Sequence, residues 1–63
     1  MTYETAKTAV FATLRRIGEA EPTELTRMTG VPLEVVTWAL DRLREDEKVR
    51  CRIGGGREWW HVI

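Results

Sequence analysis

The stretch from Thr23 to Val49, T-E-L-T-R-M-T-G-V-P-L-E-V-V-T-W-A-L-D-R-L-R-E-D-E-K-V, decides the fold. Thr23 is placed to cap a brief helix over Glu24 to Thr29, whose apolar residues Leu25 and Met28 are expected to turn inward. Gly30 suits the left-handed residue that stops such a helix. Pro32 then opens a longer helix, because the first helical position needs no amide donor, and the pattern runs to about Glu47. On it Val36, Ala39, Leu40 and Leu43 fall on one face with Leu33 and Val35 on the flanks, and all six are expected in the core. Two helices across a short turn holding Gly30, the second the longer, describe a helix-turn-helix.

Toward the N-terminus, Thr2 can cap a helix over Tyr3 to Ile17, with Tyr3, Ala6, Val10, Leu14 and Ile17 on one face and Gly18 past its end. Phe11 lies about 100° off that stripe, at the expected edge of the core. Glu19 to Pro22 is not expected to continue the helix, since proline has no amide donor and biases the residue before it to extended geometry, and a short extended link is expected there. Toward the C-terminus, Val49, Cys51 and Ile53 alternate with Arg50 and Arg52, three glycines interrupt at 54 to 56, and Glu58 to Ile63 is again extended. This predicts a β-hairpin with Trp60 and Val62 on its core side, Cys51 buried and inert, and Trp59, His61 and Ile63 on the other side. The expected fold class is α+β, mostly α with a small hairpin: helix, short strand, helix, helix, strand, strand, as one domain over residues 1–63.

Composition narrows the function. With 43% hydrophobic residues and three Trp, the chain is too apolar for a disordered segment. One Cys and one His exclude an internal disulfide and a Cys/His zinc site, so no metal or cofactor is expected. No apolar run reaches the length of a membrane span or follows a basic leader, which makes the expected location cytoplasmic. At this size there is no deep cleft in which paired carboxylates could work. A binding module is expected, with no small-molecule substrate and no enzymatic activity. Ten basic and ten acidic side chains cancel, but residues 49–63 carry three basic against one acidic, so the positive excess sits in the hairpin.

Taken together, residues 23 to 49, the helix before them and the hairpin after them resemble winged helix-turn-helix transcriptional regulators over nearly the whole chain. Leu25, the Thr29-Gly30-Val31 turn, Val36 and the Ala39-Leu40-x-x-Leu43 run leading to Val49 carry the likeness. They are core and turn positions, which speak for fold more than for activity. The resemblance implies double-stranded DNA as the partner, with the third helix in the major groove and the hairpin as a wing. Position by position, Leu33, Glu34, Thr37 and Trp38 would meet bases, and Arg42 on the same helix, with Thr23 and Arg27, would meet phosphates. The wing would offer Arg50, Arg52, Arg57 and the close approach that Gly55 permits.

Several outer positions depart from the family. Glu34, Trp38, Asp41 and Glu45 stand where Ser, Thr, Arg or Lys are common, and Glu47-Lys48 replaces the Gly-Leu that usually precedes the wing. Carboxylates repel phosphates, and a Trp ringed by charge is the composition of a protein-binding hot spot. The alternative expectation is therefore a protein partner or homodimer contacted through Trp38, with Phe11, Asp41 and Trp59 as further interface candidates.

Overall fold

The computed structural model describes residues 2–63. Its elements run α1 (Tyr3–Ile17), β1 (Glu19–Ala20), α2 (Pro22–Thr29), α3 (Leu33–Glu45), β2 (Val49–Gly54) and β3 (Arg57–Val62). The strands form one antiparallel sheet in the order β1-β3-β2, with Ala20 opposite Trp60 and Val49 opposite Val62. The two-residue link β1 is long enough to pair, which fastens the start of the helical pair to the hairpin.

Three helices and the inner face of the sheet enclose a core of Ala6, Val10, Leu14, Ala20, Leu25, Val31, Val36, Ala39, Leu40, Leu43, Val49 and Trp60. Phe11, Ile17, Val35, Cys51 and Val62 pack at its edge, half-buried. Phe11 thus sits where its offset from the α1 stripe predicts. Cys51 is half-buried and not enclosed, because β2 leaves the core as it runs toward the turn and Ile53 is already 70% exposed. Val62 is likewise half-buried near the chain end.

Four residues expected inside or at a cap behave otherwise. Tyr3, Met28 and Leu33 are exposed, each lying in the first or last turn of its helix, where the neighbouring elements cover it only in part. The cap of α2 is Glu21 rather than Thr23: Pro22 takes the first helical position, and the Glu21 N–H donates to the Glu24 carboxylate at 3.5 Å.

Helix α3 ends at Glu45, two residues short of the expected end. The Lys48 N–H reaches back to the Leu43 carbonyl and the Glu47 N–H to the Arg44 carbonyl, both at 2.9 Å, with Glu47 at φ +60°. This is a Schellman closure with Glu47 in the left-handed position that glycine normally fills. At the hairpin tip Gly55 and Gly56 have φ +59° and +76°, the two positive values that a tight two-residue turn demands. Within the helix-turn-helix, Gly30 is left-handed, and the Thr29 hydroxyl both donates to the Leu25 carbonyl at 2.6 Å and accepts from the Val31 N–H at 3.1 Å. Those bonds tie the turn down and seat Val31 in the core.

Candidate nucleic-acid interface

Burying Val36, Ala39, Leu40 and Leu43 fixes which side of α3 faces outward. The spacing of four, three and four then lines Glu34, Trp38, Asp41 and Glu45 along the opposite ridge, all exposed. Leu33 and Thr37 flank that ridge on one side and Arg42 on the other. The Thr37 hydroxyl is used locally, donating to the Glu34 carbonyl at 2.9 Å. Asp41 is paired with Arg44 at 3.3 Å, whereas Glu34 enters no ion pair among the described residues.

Trp38 is 37% exposed, and its one aromatic neighbour among the described residues is Tyr3, with ring centroids 4.8 Å apart and planes inclined at 55°. Tyr3 is itself 61% exposed, so the two rings form an apolar step between the start of α1 and the middle of α3. Beside it lies a shallow hollow of about 330 Å³ lined by Thr2, Tyr3, Ala6, Pro32 and Val35. Sequence periodicity identified Trp38 but not Tyr3, which reads as one more core residue of the α1 stripe. No signal in the chain marks a contact between residues 35 positions apart.

The hairpin carries less free positive charge than its sequence suggests. Arg52 pairs with Glu19 at 3.1 Å, reaching over Trp59 with its guanidinium 6.0 Å from the ring, and Arg57 pairs with Glu21 at 3.2 Å. Both carboxylates belong to β1 and the α2 cap, brought alongside by the β1-β3 pairing. Arg27 on α2, Arg42 on α3 and Arg50 on β2 are exposed and enter no ion pair among the described residues. Thr23 and Gly55 are exposed. Of the alternative interface residues, Trp38 and Asp41 share the outward ridge of α3, Phe11 lies beneath Arg15 and Lys48, and Trp59 lies beneath Arg52.

Among the described residues no group of three or more His, Cys, Asp and Glu side chains is arranged to hold a metal ion, and no helix is long and apolar enough to cross a membrane. The Cys51 thiol is pushed above its ordinary value first by burial and then by the Glu58 carboxylate, with Arg44 and a backbone hydrogen bond at Trp59 acting in the opposite sense. A thiol held protonated in this way is a poor nucleophile.

No family model and no curated protein matches the sequence. Among solved structures the chain is similar to the AntR antimony-specific transcriptional repressor, at 22% identity and a TM-score of 0.77 over 87% of this chain and 50% of that one. It is also similar to a predicted DNA-binding transcriptional regulator from E. coli, at 20% identity and a TM-score of 0.79 over 86% of this chain and 57% of the other. At such identities the likeness establishes the fold, which is a winged helix of the α+β class. The chain spans about half the length of the structures it matches.

Proposed function

We propose that this chain is a DNA-binding unit of a transcriptional regulator, with the N-terminal half of α3 entering the major groove and the β2-β3 hairpin running along the backbone. The observation that carries this reading is the conjunction of a winged-helix fold with unpaired, exposed Arg27, Arg42 and Arg50 on the elements that would border the groove. Both similar structures are described as transcriptional regulators. In this reading Leu33, Glu34, Thr37 and Trp38 meet base edges, while Thr23, Arg27, Arg42 and Arg50 meet phosphates. Arg52 and Arg57 contribute once they leave their carboxylates, and Gly55 lets the wing tip approach the backbone.

Titration against mixed-sequence duplexes at low salt tests the proposal. Binding should weaken as salt rises, and Arg50→Ala or Arg27→Ala should each lower the slope of log affinity against log salt by about 0.9, the share of one phosphate. Absence of any binding at low salt overturns it.

A second reading, a protein partner or second copy docked on α3, is favoured by the Tyr3–Trp38 step, which leaves two aromatic rings partly exposed. In that reading Trp38→Ala keeps the fold and weakens association by about 2 kcal/mol or more. Amide NMR of the labelled protein across a concentration series measures it, and spectra that stay unchanged with concentration remove self-association.

A further inference from the structure

We infer that α3 reads the edges of pyrimidines, with Glu34 accepting from the N4 amino group of a cytosine and Leu33 and Trp38 meeting the C5-methyl groups of neighbouring thymines. This inference rests on the DNA reading above and deepens it by naming the bases.

The outward side of residues 33–41 limits what α3 can read. It holds no Asn, Gln, Arg or Lys, the residue types that read adenine and guanine bidentately in the major groove. The side chains it exposes are Leu33, Glu34, Thr37, Trp38 and Asp41. Of the two side-chain donors among them, the Thr37 hydroxyl is spent on the Glu34 carbonyl at 2.9 Å, which leaves the indole N–H. Asp41 is held by Arg44 at 3.3 Å. Besides the indole N–H, what remains is one unengaged carboxylate, Glu34, set between Thr37 and Trp38 by the three- and four-residue helical spacing.

An ionised carboxylate only accepts hydrogen bonds. Guanine presents two acceptors to the major groove. Adenine presents its amino donor beside the N7 acceptor, which would face the carboxylate, and thymine presents O4 with its methyl. Cytosine alone offers an amino donor without an adjacent acceptor of its own, so Glu34 selects it. Glu34 lies in the first turn of α3, where the partial positive charge of the helix end offsets some of the repulsion a carboxylate meets between phosphate strands. Leu33 at 44% exposure and Trp38 at 37% put apolar surface on either flank, and the apolar feature of the major groove is the thymine methyl.

Selection from a random duplex pool, run with the unaltered chain and with Glu34→Gln, decides the matter. Expected is enrichment of a cytosine at one fixed position with thymine beside it, and a roughly 5- to 150-fold loss when that cytosine is replaced. Because a glutamine can donate and accept together, E34Q should move the preference at that position from cytosine to adenine. Glu34 is exposed and outside every ion pair among the described residues, so the variant should fold as the parent does, checked by circular dichroism. Enrichment of guanine or adenine by the unaltered chain, or a preference indifferent to E34Q, overturns the pyrimidine assignment and leaves DNA binding standing. Retention of no duplex by either protein overturns both.

Discussion

The Arg57 Nη1 donates to Glu21 Oε1 across 3.2 Å, so the wing's tip-side arginine is held by the cap of the first helix of the helix-turn-helix. Arg52 is held in the same way by Glu19 at 3.1 Å. Each pair is exposed and worth at most about 1 kcal/mol, an amount that nearby phosphates can outbid. Replacing Glu19 and Glu21 together by Gln removes the charge that holds both guanidiniums, at a cost of up to about 1 kcal/mol where Glu21 caps α2. The double variant should bind duplex DNA more tightly than the parent and steepen its salt dependence by up to about 0.9 per arginine released. Fluorescence anisotropy at several salt concentrations measures it, and an affinity no higher than the parent's would show that the two ion pairs do not compete with DNA.

Glu47 occupies the left-handed position of the Schellman closure after α3 at φ +60°, where a residue with a Cβ costs roughly 1–2 kcal/mol relative to glycine. Glycine also gains freedom in the unfolded chain, which cancels part of the benefit. Glu47→Gly should therefore stabilise the fold by up to about 1 kcal/mol. A urea midpoint that falls on this substitution would show that the Glu47 side chain contributes a contact outweighing the strain.

That position also shows how much of the molecule its sequence discloses. The departure from glycine at Glu47 is visible in the chain, but where the helix stops depends on which carbonyls the next amides reach, and Lys48 closes back on Leu43. Periodicity located α1, the long helix and the hairpin because burial repeats with helical or strand spacing, and Leu14, Leu40, Val49 and Trp60 are inside as their spacing requires. It misjudged Tyr3, Met28 and Leu33 for one reason: a helical stripe runs into the first and last turns of a helix whether or not neighbours cover them fully. Val31 is the converse case, a turn residue buried because the loop folds back beneath it.

The site divides along the same line. Exposure of Glu34, Trp38, Asp41 and Arg42 follows from local geometry and was legible, since the buried face of α3 dictates its opposite. The Tyr3–Trp38 contact and the capture of Arg52 and Arg57 were not, because each joins segments more than thirty positions apart through side chains. Counting charge along the hairpin overstated its free positive character for that reason.

Leu40 and Leu33 lie on one helix at 0% and 44% exposure, and the same substitution should separate them. Leu40→Ala removes wholly buried carbon and opens a cavity, costing about 2–5 kcal/mol. Against a total of roughly 3–9 kcal/mol for a chain of this length, that is enough to leave a substantial unfolded fraction. Leu33→Ala should change stability by less than about 0.5 kcal/mol. Urea unfolding followed by circular dichroism gives both values, and a large loss at Leu33 would mean that α3 begins further inside than its exposure indicates.

The raised Cys51 thiol makes stability depend on pH in the alkaline range. Burial first, and the Glu58 charge second, disfavour the thiolate in the folded state, so the unfolded chain ionises at lower pH than the folded one. The contribution is therefore complete below the unfolded-state value, near the ordinary 9.0, and is lost progressively as pH rises through the raised folded-state value. Cys51→Ala deletes the titration, and whatever its packing cost, that cost is the same at every pH. Between neutrality and about pH 10 the parent's urea midpoint should consequently fall further than the variant's, all other groups being common to both. Parallel pH profiles would mean that the thiol ionises as freely in the folded chain as in the unfolded one. Alkylation by iodoacetamide offers a check without unfolding curves, because only the thiolate reacts and the native protein should be modified more slowly than the chain in urea.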